Sequence, residues 1–180
     1  MPTLGRSIAH AVLWQAGWFA AVLGAAHHHA WLGPVGLLPV IALHAWTFRS
    51  EPAWDLRPLG VAAMLGVLVD SVLGHTDMIV MARGDGGWSA MATPWMIGLW
   101  VALASALRFS MAWMTGRWLV AMAFGAVGGS LAYLGGERLG ALRFPSGTFQ
   151  GLLAVAAAWA VAMPALLYVT ATTRRMVSRG

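Results

Sequence analysis

Two ionisable side chains, Asp70 and Arg108, interrupt long apolar runs of this chain. A central charge costs roughly 2.5–3.5 kcal/mol by insertion assays and over 10 in simulation, so each must find a partner, a water pocket or an interface. Gln15 lies in the middle of another apolar run, where an unpaired amide is unfavourable and should bond a neighbouring helix. Ser105 stands beside Arg108 on a helical wheel, with Val101, Ala104 and Ala112, while Met96, Trp100, Leu103 and Leu107 crowd a separate flank. If small residues face the bundle and bulky ones face lipid, Arg108 points inward; snorkelling towards the headgroups is the alternative. Arg108, Asp70, Gln15 and Ser105 are therefore the candidate ligand-binding residues. At about 1.5 Å per residue, the Asp70 and Arg108 Cα atoms should differ in depth by ~10 Å, a gap that a long arginine largely closes. Such a pair could hold a lipid headgroup, a carboxylate or a proton path, and a structural ion pair clamping two helices is equally consistent.

Histidine offers a second chemistry. His10 and His44 fall on adjacent antiparallel runs, an arrangement that could supply axial ligands to one haem b. His27, His28, His29, His75, Asp77 and Asp85 gather near the opposite surface, where a divalent metal could bind. Solvated interfacial histidines explain both sets more simply, so neither a metal nor a cofactor is expected. Ser71, Ser105, Ser110 and Ser130 have no histidine and carboxylate in an evident triad. Paired-carboxylate, Walker and H-E-x-x-H motifs are missing, so no catalytic residue is assigned.

The elements that position these residues follow from composition. Charged residues make up 9% of the chain against roughly 25% in a soluble domain, and the mean hydropathy is +0.72. The expectation is one integral-membrane domain over residues 1–180, all-α and polytopic, with six transmembrane helices in one bundle. The spans fall at about 7–26, 30–48, 58–75, 94–114, 118–135 and 150–170, each near the ~20 residues that cross a bilayer. The first could pass for a signal peptide and is read as a span. Zero cysteines exclude disulfides and thiolate chemistry. The high pI reflects scarce acids and basic flanks, and nucleic-acid binding is not expected.

Ala62, Gly66, Asp70 and Gly74 recur every four residues in the third span, a seam that admits another helix closely. Gly125 and Gly129 form a G-x-x-x-G pair in the fifth. Pro39 and Pro164 should kink the second and sixth, and the connection 76–93 reads as a loop or interfacial segment. Six spans put both termini on one side. That side collects Arg6, Arg49, Arg57, Arg117, Arg174, Arg175 and Arg179 against Arg83, Arg138 and Arg143 on the other. The positive-inside rule then makes both termini cytoplasmic.

Laid out this way, the chain carries Trp14-Gln15 with Trp18, then Trp31, Gly33, Asp70-Ser71, Pro94-Trp95, Leu99-Trp100, Ser110 and Trp113. Gly128-Gly129, Tyr133, Gly135 and Leu139-Gly140-Ala141 follow. In that order these residues resemble a bacterial inner-membrane family catalogued as domain of unknown function 2878. The resemblance covers nearly the whole chain and brings no agreed activity. Where the family often reads Gly-Pro, this chain has Gly128-Gly129. The resemblance implies a multi-pass protein of the bacterial inner membrane, with genes often near lipid-modifying enzymes.

The leading expectation is a protein that binds or handles a lipid or other amphiphile at a polar intramembrane site. The alternatives are a non-catalytic accessory subunit of a larger membrane complex and a small transporter. Membrane lipids are the expected partners, with a membrane-protein partner or a homo-oligomer possible.

Overall fold

The computed structural model describes residues 3–50 and 56–177, with side chains described up to Thr173. The link residues 51–55 and the side chains of Arg174, Arg175 and Arg179 lie outside the described residues. Six helices follow in order: α1 (Leu4–Ala26), α2 (Leu32–Thr47), α3 (Arg57–His75), α4 (Pro94–Ala106), α5 (Trp118–Arg138) and α6 (Thr148–Val177). Four of them, α1, α3, α5 and α6, are long and apolar enough to cross a membrane. The other two are shorter apolar helices, α2 of 16 residues and α4 of 13.

The helix starts follow local chemistry. Thr3 is extended and its hydroxyl accepts the Arg6 N–H at 3.4 Å, capping α1. Pro58 and Pro94 occupy the first turns of α3 and α4, where a missing N–H costs nothing. Neighbouring helices pack as α1 with α2, α3 with α4 and α5 with α6, and α4 also touches α1 and α2. That central place explains its burial: Trp95, Met96, Trp100 and the whole of Ala102–Ala106 are buried. The expected division of α4 into a small inner face and a bulky lipid face is corrected, since Met96, Trp100, Leu103 and Leu107 are also buried.

The expected helix over 94–114 is also corrected. After Ala106 the backbone tightens to i→i−3 bonds: Arg108 N–H donates to Ser105 O at 3.3 Å and Phe109 N–H to Ala106 O at 3.0 Å. One 3₁₀ turn, Ala112–Met114, completes the segment. Ser105 Oγ donates back to Ala102 O at 2.6 Å, the local side-chain bond that competes with a helix at its end. An apolar run looks the same in either conformation, so hydropathy could not mark this change.

A small antiparallel sheet lies in the connections between α3 and α4 and between α5 and α6. β1 (Val80–Ala82) is its centre, flanked by β2 (Trp88–Ser89) and β3 (Leu142–Arg143). Met81 faces Ser89 on one side and Leu142 on the other. The β1–β2 turn uses Gly84 and Gly86 at φ of +83° and +91°, where an L side chain is strained. Within it Asp85 Oδ1 accepts the Gly87 N–H at 2.8 Å and Oδ2 meets Arg83 at 3.0 Å. The Gly87 N–H, with Arg83 beside it, holds the Asp85 carboxyl below the usual carboxylate range. Trp95 Nε1 donates to Ala82 O at 2.9 Å, joining α4 to the sheet.

Both small-residue seams are used inside the fold. A Cβ at Gly66 would stand 2.6 Å from the Trp100 ring, and one at Gly129 2.5 Å from Trp159. At Gly74 a Cβ would collide with the backbone carbonyl of Ala90, whereas at Gly60, on the same helix, it would meet nothing within 4 Å. Gly74→Ala should therefore lower detergent stability by about 1–3 kcal/mol through overpacking. Gly60→Ala should leave it unchanged or raise it by up to ~1 kcal/mol. Thermal melts of the two purified variants test this; equal melting would refute the close contact.

Candidate functional site

Asp70 is fully buried on α3 and accepts two hydrogen bonds. Its Oδ2 accepts from Trp100 Nε1 of α4 at 2.8 Å, and its Oδ1 accepts from the Tyr133 hydroxyl of α5. Trp100 in turn stacks on Trp159 of α6, with centroids 4.2 Å apart and planes 17° apart. Tyr133 meets the same Trp159 edge-on at 6.4 Å. Asp70 of α3 thus meets α4 and α5 directly and α6 through the rings packed on Trp159, in surroundings where a satisfied hydrogen bond is strong and an unsatisfied one costly.

The Trp100, Tyr133 and Trp159 rings floor a cleft of about 200 Å³. Trp14 and Trp18 of α1 form one wall, Gly128 and Ala132 of α5 the other, and Leu103 of α4 adds to the base. The lining is almost wholly apolar. Along α5 it extends from Phe124 to Gly136, about 18 Å at ~1.5 Å per residue. A Cβ at Gly135 would stand 3.2 Å from the tip of the Trp18 indole, so that ring bridges the gap from α1 to α5.

A second buried polar cluster lies towards the other end. Because Ser105 Oγ donates to Ala102 O, its oxygen accepts from His10 Nε2 at 2.8 Å, which places the imidazole proton on Nε2. His10 stacks on Phe109 at 4.2 Å, and His44 packs on Phe109 and Phe48 at 6.1 and 5.0 Å. The Arg108 guanidinium lies 3.5 Å above the Phe48 ring. A cation on a desolvated aromatic face gains about 2 kcal/mol or more.

The four sequence candidates are therefore separated. Ser105 and Arg108 belong to the histidine cluster, while Asp70 lies beneath the cleft. No ion pair joins Asp70 to Arg108, and the one salt bridge among the described residues is Arg83–Asp85. Gln15 is exposed on α1, so its expected inward placement is corrected; its neighbour Trp14 is the residue that turns to the cleft. Among the described residues no three of His, Cys, Asp and Glu assemble to hold a metal. The outer histidines instead close helix ends: Nδ1 of His27 bonds Leu23 O at 2.9 Å, and Nδ1 of His75 bonds Ser71 O at 2.7 Å.

Sequence reasoning missed Trp100 and Tyr133 as partners of Asp70, and Trp159 as the ring on which both pack. A buried carboxyl in an apolar bundle needs donors, and Trp and Tyr are the aromatic residues that supply one. That rule pointed at them.

The cleft is lined by α1, α4, α5 and α6, and four of the six helices are long and apolar enough to cross a membrane, as in a helical membrane protein. The chain belongs to the family described as a protein of unknown function, DUF2878, whose model matches residues 7–165. No curated protein and no solved structure matches it.

The geometry sets up a double-mutant cycle. Tyr133→Phe removes one donor, and Asp70→Ala leaves two buried donors unpaired at about 1–3 kcal/mol each. Asp70 and Tyr133 should couple by well over ~0.5 kcal/mol in denaturation of the detergent-solubilised protein, whereas Asp70 and Arg108 should be additive to about that margin. Strong Asp70–Arg108 coupling would reinstate the charged pair.

Proposed function

We propose that this protein binds the hydrocarbon chain of a lipid or other amphiphile in the cleft between α1 and α5, as a single domain of six spans in the bacterial inner membrane. The observation that carries the reading is the shape and chemistry of the cleft: elongated, apolar and walled by indole rings. At about 200 Å³ it is smaller than the ~300–1,000 Å³ pockets that enclose whole drug-sized ligands. One chain segment fits such a space, with the rest of the amphiphile left in the bilayer. The Tyr133 hydroxyl, on a residue that lines the cleft, is already engaged by Asp70. Asp70 is thus a support of the floor, and the headgroup sits elsewhere. The apolar lining favours a hydrocarbon over the polar solute of a small transporter. An accessory subunit docking through a small-residue seam draws less support, because Gly66, Gly74, Gly125 and Gly129 all pack inside the fold.

Six crossings are supported by the pairing of consecutive helices. At ~1.5 Å per residue α2 and α4 fall short of the ~30 Å core, so flanking residues such as 107–114 complete their crossings. Arg6, Arg49, Arg57 and Arg117 lie at one end and Arg83, Arg138 and Arg143 at the sheet end, which favours cytoplasmic termini. Reporter fusions after Gly116 should read cytoplasm and those near Gly86 periplasm; the reverse would discard this topology.

Gly128→Leu tests the cleft. A Cβ there meets only the Phe124 ring at 3.7 Å, an ordinary contact, so the larger side chain fills the cleft with little strain. Purified wild type photolabelled with a diazirine fatty acid should be modified on α1 and α5 peptides. Gly128→Leu should lose at least about ten-fold of that labelling, ~1.4 kcal/mol of binding, with its melting temperature retained. Equal labelling in the variant would reject the cleft as the site.

A further inference from the structure

Trp46 stands on the last turn of α2, half-exposed, with two guanidinium groups on its indole ring. Arg6, from the first turn of α1, lies 4.6 Å from the ring centroid and Arg49 lies 5.6 Å from it, both inside the ~6 Å reach of a cation–π contact. Like charges from two helices are thus gathered on one aromatic platform, where they repel unless an anion joins them. The first turn of α1 carries no acidic residue, and the acids nearest in sequence to Arg49, Glu51 and Asp55, lie outside the described residues. Arg49 Nη1 donates to Trp46 O at 3.0 Å, which fixes the side chain while using one of its five N–H donors. Planar guanidinium forks match the oxygens of a phosphate, and tryptophan favours the membrane–water boundary. Below Trp46, at one-turn intervals on the same helix face, Ala42, Leu38 and Val35 are all exposed and apolar.

We propose that Arg6, Trp46 and Arg49 form a site for the phosphate of an anionic phospholipid, with an acyl chain lying along the Ala42–Leu38–Val35 stripe. The site is separate from the cleft and does not depend on its occupant. Full-length protein in neutral detergent is titrated with dioleoylphosphatidylglycerol or dioleoylphosphatidylcholine and read by native mass spectrometry. Wild type should retain the anionic lipid in preference to the zwitterionic one. Each of Arg6→Gln and Arg49→Gln should reduce that preference about five-fold, the equivalent of ~1 kcal/mol per arginine at a charged membrane surface. The double variant should lose about 25-fold, since the two effects multiply. Arg6→Lys with Arg49→Lys keeps the charge without the planar fork and should fall between. Should the double glutamine variant fail to fold, Trp46→Leu removes the platform alone and should also lower the preference. Gly128→Leu should retain it in full, so failure of this site and failure of the cleft read separately. Unchanged preference in the folded arginine or Trp46 variants would overturn the proposal. So would displacement of the lipid by inorganic phosphate, which would mark a site for the free anion.

Discussion

A carboxyl group among apolar helices needs a donor at each oxygen, and Asp70 takes its donors from Trp100 and Tyr133. Much of the packing follows from that requirement. Trp100 reaches Asp70 only because position 66, one turn earlier on α3, has no side chain. Trp100 then lies flat on Trp159, and Trp159 fits against α5 because Gly125 and Gly129 leave it room. The contacts form a continuous chain from α3 through α4 and α6 to α5. The rings at the bottom of the cleft are therefore held by protein contacts before anything binds, which lowers the ordering cost of a ligand.

Arg108 lies apart from Asp70, in the cluster that holds His10 and His44. Its guanidinium rests on Phe48, and the adjoining Phe109 covers His10. Both contacts depend on the helix giving way to 3₁₀-type turns after Ala106. The two ionisable residues that the sequence pairs thus settle into separate surroundings, Asp70 against Trp100 and Tyr133 and Arg108 against Phe48. Polar groups at different depths of a bundle need local partners, because the cost of leaving one unsatisfied is also local.

The number and order of the helices were readable because apolar runs of near-membrane length admit few other structures. The small-residue seam marked a close helix approach at Gly66, against α4, whereas at Gly74 it admits the connecting backbone at Ala90. Polarity alone misled at Gln15, which was assigned an inward place and is exposed. The inside and outside of a membrane bundle are both apolar, so a helical wheel cannot tell them apart; α4, whose bulky Met96, Trp100 and Leu103 are buried along with Ala104 and Ser105, shows this most clearly. The strands escaped notice because two- and three-residue segments are too short for alternation to register. The cleft was illegible for a related reason: it is a gap between α1 and α5, and nothing in one chain's pattern records which helices fail to touch.

The sheet bears on the order in which the protein can be assembled. β1 and β2 lie close together in the chain and can pair as soon as both have been made. The other edge of β1 bonds to Leu142–Arg143, which follow α5. Until the ribosome has produced that segment, Val80–Ala82 carries an open edge, the kind of surface on which strands of other molecules pair. Synthesis of the fifth helix therefore comes before closure of the cap, and a chain halted short of Arg143 would have its connections exposed on that side of the bundle.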